Sequence, residues 1–416
     1  MLLPILICAS ALVHIVAGSI GCQNAAGDDV DWWIALKAPE GSPYGYLDST
    51  QNPPQWAYDP NSELAATSGN PLANTLQQIY SGGVSYLIYN DQPFDFTPKP
   101  KIDGKFHAHA KGVFAFSKTQ GFWLTHSNPN FPDNPKDSSY SGIYNCSATD
   151  ASKCGPAQGQ QRYGQHYLCL TMDHDNLEKA AQALQMALVV VASSDLEDVQ
   201  DDYPEMAQIV SGYLKHKTGE VPVKDSINQE LATVGSEPLL QFAMSPTEIG
   251  DDVYLYEELI EPKLKSGMWV ETWKEGKDFV SYCPSVKSSL PKGTHFKYET
   301  RTINKIFINQ ELQWTNPRTR NSGDHSKWAI THAAGDAESM TATNSSVALS
   351  RRLLSDDNAP GKRSVARAVK VLCMADINRA GHQLQRGGGA VCFSNNAPLW
   401  NAFLGIVAEV GACGEL

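Results

Sequence analysis

The chain has 416 residues, of which 42% are hydrophobic and 19% are charged. These proportions indicate an ordinary globular protein that can bury a large core, and they exclude a chain dominated by disorder. The formal net charge of −12 at pH 7 argues against a uniformly basic, nucleic-acid-binding surface, because phosphate binding normally requires a basic face.

The amino terminus, residues 1–21, is an apolar run that ends in the small residues Ala17-Gly18-Ser19. It predicts a signal peptide rather than a membrane anchor, because the run is short and polar residues follow it directly. No later segment is apolar enough to span a bilayer, so we expect no membrane span in the mature chain. A lysosomal or secreted protein is therefore predicted.

The first half of the chain is predicted to contain short strands, loops and two helices. The predicted elements are a strand at Trp32–Leu36 with both tryptophans in the core, a loop at Gln51–Pro60, a helix at Asn74–Tyr80, a strand at Val84–Tyr89, and a helix at Asn176–Ala192 that begins near Asp173 and Asp175. Residues 132–164 are polar and predict a surface loop. The acidic run 195–205 predicts a solvated face, and residues 215–236 are the predicted boundary between two lobes.

The second half is predicted to hold a helix at Tyr254–Leu264 and strands at Met268–Trp273 and Ile303–Ile308. Residues 332–370 are rich in Ala, Ser, Asp and Arg, which indicates an inserted surface loop. An alternative is a processing loop, cut at Arg351-Arg352 or Lys362-Arg363, that leaves two chains joined by disulfides.

Two His-x-Lys pairs are the strongest chemical signal. They are His109 with Lys111 and His325 with Lys327, about half a chain length apart. In a strand, residues two apart share one face, so each pair would place an imidazole beside a cation. That combination suits an anionic substrate such as a phosphate, because lysine neutralises charge and histidine can attack or transfer a proton. One pair alone is more typical of a solvated loop, but the repeat predicts two lobes that share one site.

Two other histidines near the first pair have open interpretations. His107-x-His109 could form two zinc ligands, but further ligands at local spacing are missing. We therefore treat His107 as a flanking residue. His126 ends the strand expected beside the first pair. It could help to bind phosphate or be a structural core histidine.

With these motifs, the sequence resembles the phospholipase D superfamily and, more specifically, the deoxyribonuclease II family. The resemblance extends over nearly the whole mature chain. It is carried by Asp31-Trp32-Trp33, Tyr46-Leu47-Asp48-Ser49, Tyr89-Asn90-Asp91-Gln92-Pro93, Gly121-Phe122-Trp123-Leu124-Thr125-His126-Ser127, Asp324-His325-Ser326-Lys327-Trp328, Asp376-Ile377-Asn378-Arg379, Arg386-Gly387-Gly388-Gly389 and Cys392.

This resemblance implies an α+β or α/β fold of two pseudo-symmetric phospholipase D-like lobes, at 22–225 and 226–416. Each lobe would be a mixed β-sheet flanked by helices, and the two would share one central active site. It also implies metal-independent, endonucleolytic cleavage of double-stranded DNA at acidic pH, with 3′-phosphate ends, a phosphohistidine intermediate and no cofactor. A homodimer is a further expectation. Asp376 and Asn378 are candidate supporting residues by resemblance only. Phe116 stands where the superfamily often has Asp or Asn, which is a departure.

Cysteine usage also indicates a secretory protein. Of nine cysteines, Cys8 lies in the predicted signal peptide, and an even number behind a signal peptide predicts disulfides. The resemblance implies the pairs Cys22–Cys169, Cys283–Cys413 and Cys373–Cys392. Cys146 and Cys154 remain and are close enough to close a small loop. The sequons at Asn145 and Asn344 predict glycosylation.

The negative charge leaves the function open to more than one interpretation. Protonation of the ten histidines outside the signal peptide would bring the protein close to neutrality in an acidic compartment. A basic groove on an acidic body is another solution. The alternatives to a nuclease are another phosphodiesterase or phospholipase of the same superfamily, a catalytically silent DNA- or lipid-binding relative, and a secreted toxin.

Overall fold

The computed structural model describes residues 19–93, 107–136, 139–143, 161–215, 225–248, 250–273, 281–316, 323–332 and 369–414. Several predicted features lie outside these ranges. They are the signal peptide up to residue 18, the Cys146–Cys154 pair, the sequons at Asn145 and Asn344, and the two basic pairs of the insertion. No helix in the described ranges is long and apolar enough to cross a membrane.

The amino-terminal half is built around a seven-stranded sheet. A short hairpin, β1 (Cys22–Gln23) and β2 (Asp29–Val30), precedes it. The strands of the sheet are β3 (Trp32–Lys37), β4 (Tyr44–Asp48), β5 (Ser85–Asn90), β6 (Lys111–Phe116), β7 (Gln120–His126), β8 (Gln165–Asp173) and β9 (Val191–Asp195). They lie in the order β4-β3-β8-β7-β6-β5-β9. Every described pair in this sheet is antiparallel.

The carboxyl-terminal half forms a nine-stranded sheet. Its strands are β10 (Ser226–Ala232), β11 (Pro238–Met244), β12 (Gly267–Glu271), β13 (Thr300–Phe307), β14 (Gln313–Thr315), β15 (Trp328–His332), β16 (Leu372–Ala375), β17 (Gly388–Phe393) and β18 (Val407–Val410). The order is β10-β11-β17-β16-β15-β12-β13-β14, with β18 on β13. Strands β12 and β13 run parallel, whereas the other described pairs are antiparallel.

A small number of helices pack on the sheets in the described ranges. They are α1 (Pro71–Tyr80), α2 (His174–Ala187), α3 (Pro204–Lys215), a π-helical turn at Leu255–Ile260 that continues into α4 (Glu261–Leu264), and α5 (Ala397–Ile406). Local sequence sets their starts. The Asn70 side chain accepts the Ala73 N–H at the start of α1, and Asp173 accepts the Asn176 N–H at the start of α2. Such caps satisfy backbone donors that the first helical turn leaves unpaired.

The two sheets share one hydrophobic core. Strand β3 is apolar at every position before Lys37, because both of its faces are buried. Trp32, Ile34 and Leu36 face the core between the sheets, whereas Trp33 and Ala35 face a second core beneath α1. A strand covered on both faces is expected to be continuously apolar. Across the shared core, the rings of Trp32 and Phe393 lie 5.4 Å apart, so the halves pack directly on one another.

The α+β part of the predicted fold class is confirmed, but two details were wrong. The first sheet is antiparallel throughout its described strands, rather than mixed. The second predicted helix ends at Ala187, not Ala192, because Leu188 adopts a left-handed conformation and the valines that follow lead into β9, which begins at Val191. β-Branched residues favour strands over helices, and a short apolar run does not distinguish the two.

Three disulfides tie down both halves. Cys22–Cys169 links β1 to β8, Cys283–Cys413 closes the second half, and Cys373–Cys392 joins the neighbouring strands β16 and β17. These are the three pairings that the resemblance implies. The inserted segment also begins later than expected, because His332 is the buried last residue of β15. Residues 333–368 lie outside the described ranges.

Candidate active site

Both His-x-Lys pairs lie where the chain enters a strand of a different sheet. Lys111 is the first residue of β6, and Lys327 directly precedes β15. His109 and His325 therefore lie before the strands, so the expectation that each pair shares one strand face was wrong. Both lysines are almost completely buried, each with 2% of its side chain exposed. A lysine retained in such a place requires polar or anionic partners.

Each pair is held by the opposite half of the molecule. The His109 N–H donates to the Gly387 carbonyl at 2.8 Å, and the His325 N–H donates to the Gly164 carbonyl at 2.9 Å. In addition, the Lys327 N–H donates to Nδ1 of His166 at 2.9 Å. These crossed hydrogen bonds connect loops of both sheets, so the position of each pair depends on the packing of the halves.

Lys111 belongs to a buried network of three charges. Its Nζ donates to one carboxylate oxygen of Asp91, and Arg386 donates to the other at 2.9 Å. Arg386 also donates to the carbonyls of His107 and Ala108, which lead directly to His109. Burial alone would raise the pKa of Asp91, but Lys111, with His109 and Arg386, lowers it well below its usual range. Asp91 is therefore ionised and anchors Lys111.

Lys327 lacks such a counter-ion in the described part of the chain. Its Nζ donates to the carbonyl of His325 at 2.9 Å. Burial, reinforced by the charge of Lys111, lowers the pKa of Lys327 to about 7. Because the lysine of one pair acts on the lysine of the other, the two pairs lie in a single electrostatic site. This site has an excess of positive charge, which an anionic substrate would neutralise.

The two histidines are neutral in the free site. Burial and then Lys111 lower the pKa of His109 well below its usual value. Burial, followed by Lys327 and Lys111, lowers that of His325 to about 3. His126 and His166 also have lowered pKa values because of burial and the nearby lysines. Acidification therefore does not protonate all histidines of the folded protein, and the expected approach to neutrality was overstated.

Asp376 and Asn378 lie on the loop that follows β16. Asp376 contacts His109, whereas Asn378 contacts Trp273. The Asp376 carbonyl lies 3.0 Å from Nδ1 of His109, and its side chain accepts the Gly389 N–H at 3.2 Å. Burial, opposed by Lys111 and Lys327, raises the pKa of Asp376 to about 7. Asn378 instead accepts the backbone N–H of Trp273 through its side-chain oxygen at 3.2 Å, so it positions a neighbouring aromatic residue.

Aromatic rings contact His325. Its ring centroid lies 4.0 Å from that of Tyr163 and 4.8 Å from that of Trp273. The interplanar angles are 20° and 30°, so the rings are close to parallel. Nε2 of His325 is buried and has no hydrogen-bond partner in the part of the chain that the structure describes. This nitrogen is therefore available to a substrate.

His126 and His107 flank the site in different ways. His126 accepts the Asn128 N–H through Nδ1 at 3.2 Å and packs on Phe131 and Tyr167, while its buried Nε2 has no partner. His107 contributes its carbonyl to Arg386. Within the described ranges, the one compact group of metal-ligand side chains is Cys283, Glu299 and Cys413, and its cysteines form a disulfide. The proposed His107–His109 zinc pair therefore gains no support.

Sequence reasoning missed several residues of the site. Asp91 and Arg386 stand in the phrases that carry the family resemblance, which was the available signal, but their pairing is visible only in three dimensions. His166 and Trp273 had no local pattern that marks them. All four act by contacting a residue distant in sequence.

His166 offers a test of how the second pair is positioned. Its Nδ1 accepts from Lys327, and asparagine can place an acceptor near that point, whereas glutamine reaches beyond it. We expect His166→Gln to lower the free energy of unfolding by about 1 kcal/mol or more beyond His166→Asn, since it leaves a buried N–H unsatisfied. Side-chain volume alone would predict the opposite order, because asparagine is smaller than glutamine and leaves the larger cavity. Urea unfolding of both variants measures it, and equal losses would show that the acceptor is unimportant.

Comparison with known proteins assigns the chain to a family. The family model described as Deoxyribonuclease II matches residues 21–413. The chain is 28% identical to Plancitoxin-1 of Acanthaster planci, over 95% of this chain and 93% of that protein. It is 25% identical to Deoxyribonuclease-2-beta of Homo sapiens, with coverages of 95% and 92%. It is 24% identical to Deoxyribonuclease-2 of Caenorhabditis elegans, with coverages of 97% and 98%.

The matched region contains both halves of the fold, both His-x-Lys pairs and the loops that hold them. A match of this extent leaves no large part of the chain unexplained. The protein belongs to the deoxyribonuclease II family.

Proposed function

We propose that the protein is an acid endodeoxyribonuclease that hydrolyses double-stranded DNA to 3′-phosphate products without a divalent metal. Membership of the deoxyribonuclease II family supports a hydrolase that acts on phosphodiesters. The mechanism is supported by the crossed hydrogen bonds through which each half of the molecule holds the His-x-Lys pair of the other, and by the effect of Lys111, which lowers the pKa of Lys327 and of His325. His109, Lys111, His325 and Lys327 are the proposed catalytic residues. Two cations in a buried site can stabilise the charge that develops on phosphoryl oxygens.

His109 is the proposed nucleophile. A carbonyl oxygen can only accept, so the 3.0 Å contact with Asp376 requires a proton on Nδ1 of His109. In a neutral imidazole the other nitrogen then carries the lone pair, which makes Nε2 the attacking atom. Burial and Lys111 lower the pKa of His109, so the ring stays unprotonated at acidic pH. Attack of Nε2 on phosphorus breaks the bond to the 5′ oxygen. The 3′-phosphoryl group of the cleaved strand is then bonded to Nε2 as a phosphohistidine.

His325 is the proposed general acid. The leaving 5′ oxygen takes a proton from His325, which afterwards removes one from the water that hydrolyses the phosphohistidine. In the free protein this histidine has a pKa of about 3, so it is neutral near pH 5. A bound phosphodiester adds negative charge beside both lysines and raises that pKa. The active protonation state then forms only as the pH falls, which gives an acidic optimum.

The supporting residues have distinct proposed roles. Asp376 fixes the tautomer of His109 through its carbonyl, and Asn378 fixes the backbone of Trp273. His126 is a proposed phosphate donor, because its Nδ1 accepts from Asn128 and its Nε2 therefore carries the proton. That nitrogen is buried without a partner.

We further propose two pseudo-symmetric phospholipase D-like lobes, at 22–225 and 226–416, that share this site. The crossed hydrogen bonds support the division, because each lobe holds the His-x-Lys pair of the other. A lysosomal or secreted location is also proposed. The disulfides support it, since they persist in oxidising compartments. Glycosylation at Asn145 and Asn344 and a homodimer remain predictions.

Plasmid cleavage by the secreted protein at pH 5 in EDTA tests this function. We expect nicking and linearisation to continue in EDTA, because lysines supply the positive charge, and the fragment ends to carry 3′-phosphates. Activity should fall as the pH rises from 5, since His325 then loses the proton that it donates to the leaving oxygen. Phosphatidylcholine vesicles serve as the control substrate for a phospholipase. Activity that requires a divalent metal, or cleavage of lipid but not of DNA, would contradict the proposal.

A further inference from the structure

We propose that Trp273 binds the substrate, and that its indole N–H donates a hydrogen bond to a non-bridging oxygen of the phosphodiester held beside His325. The inference rests on the proposed function, because it assigns a further binding residue to the same site. Its consequence is that Trp273 both holds the imidazole of the general acid and contacts the phosphate on which that acid acts.

The location of Trp273 places it beside the reacting group. Its ring centroid lies 4.8 Å from that of His325, with an interplanar angle of 30°. Tyr163 also contacts His325, at 4.0 Å. Contacts of this kind restrict rotation of the imidazole, whose buried Nε2 lacks a protein partner. A group that meets Nε2 of His325 is therefore close to the Trp273 ring, which packs on the same imidazole.

The indole nitrogen of Trp273 is buried, and among the described residues it has no acceptor. An unsatisfied buried donor is costly, so one at a functional site indicates a partner that arrives with the substrate. Two other tryptophans, Trp269 and Trp328, share this property, but both are fully enclosed in the core. Trp273 is only half-buried, so among these three tryptophans it is the one whose side chain is not enclosed in the core.

The backbone of Trp273 is fixed relative to both halves of the site. Its N–H donates to the side chain of Asn378 at 3.2 Å. Asn378 lies two residues after Asp376, whose carbonyl contacts His109. One loop therefore sets the distance between the proposed nucleophile and the indole.

The chemistry of the site selects an oxyanion as the missing partner. Lys111 and Lys327 bring positive charge, and Asp91 neutralises only the first of them directly. The indole N–H adds a neutral donor at the His325 end. Donors in excess of acceptors complement the non-bridging oxygens of a phosphodiester, and donors to a charged group form the stronger hydrogen bonds.

Two substitutions distinguish the contribution of the Trp273 ring from that of its N–H donor. Trp273→Phe keeps an aromatic ring against His325 and removes the donor, so we expect KM for double-stranded DNA to rise about 10- to 100-fold, the range for a hydrogen bond to a charged group. The kcat and its pH profile should change little. Trp273→Leu removes both features, and we expect kcat to fall as well and its pH profile to shift. The control is Trp56→Phe, whose indole N–H donates to Ala402 and whose ring packs on Phe403. It should leave KM unchanged.

A second measurement keeps the inference independent of turnover. The affinity for a double-stranded oligonucleotide is measured in a His109→Gln background, with and without Trp273→Phe. A loss of about 10-fold or more supports the assignment. If wild-type protein cleaves DNA but Trp273→Phe matches it in both KM and affinity, the assignment is overturned while the proposed function stands. If wild type binds but does not cleave, the proposed function fails and the affinity comparison still decides the role of Trp273.

Discussion

Replacing His109 by alanine is expected to lower kcat for plasmid cleavage at least about 10⁴-fold, in line with the loss of a nucleophile from a catalytic unit. His325→Ala should cost about 10²- to 10⁴-fold, the usual range for a general acid. Both variants should remain folded, because the backbone of each residue makes a hydrogen bond to the opposite half that alanine retains. A filter-binding assay with a double-stranded oligonucleotide is expected to show that both variants still bind DNA.

The two histidines can be distinguished by the leaving group of the substrate. Bis(p-nitrophenyl) phosphate expels a good leaving group and needs little help from an acid. We therefore expect it to restore much of the first step to His325→Ala, with a burst of p-nitrophenol and an acid-labile phosphohistidine on His109. His109→Ala should show neither with this substrate. The reverse pattern would assign attack to His325 and contradict the tautomer argument, which depends on the contact of His109 with Asp376.

The sequence indicated the two His-x-Lys pairs of the candidate site, but it did not indicate most of the residues around them. The two His-x-Lys pairs were visible because each is a local pattern and because the pattern repeats. The argument that each pair shares a strand face failed, since Lys111 begins β6 and Lys327 precedes β15. A period-two argument holds only inside a strand, and strand boundaries are the least reliable feature of a sequence-based prediction.

The residues that sequence reasoning missed share one property. Asp91 and Arg386 are separated by 295 positions yet form an ion pair, and His166 lies 161 positions from the N–H that it accepts. No local periodicity encodes such contacts. They arise because the two sheets bury one common core, as the contact between Trp32 and Phe393 illustrates, and this packing brings the loops of both halves together.

Asp91→Asn is expected to lower the free energy of unfolding by about 3–5 kcal/mol, the cost of removing one partner from a buried ion pair. Asp91 is the carboxylate shared by Lys111 and Arg386, and both cations are nearly inaccessible to water. Asparagine has the same shape but no charge, so it would leave two buried cations without a counter-ion. Urea unfolding at pH 7 measures the loss.

The pH dependence of that loss follows from the direction of the pKa shift. The pKa of Asp91 is lowered in the folded protein from its usual value of 3.8. Its contribution to stability is therefore complete above about pH 4 and disappears only as the pH falls through the lower folded value. We expect Asp91→Asn to cost the same at pH 5 as at pH 7. The network can thus hold Lys111 in place at the acidic pH where the proposed nuclease works.

A matched control uses the same substitution at the surface. Asp202 pairs with Lys118 at 3.0 Å, but 42% of the Asp202 side chain and 70% of the Lys118 side chain are exposed. Asp202→Asn should therefore cost less than about 1 kcal/mol. A similarly small effect of Asp91→Asn would mean that Lys111 and Arg386 are stabilised without this carboxylate. In that event, Asp91 would not be the counter-ion that anchors Lys111 in the site.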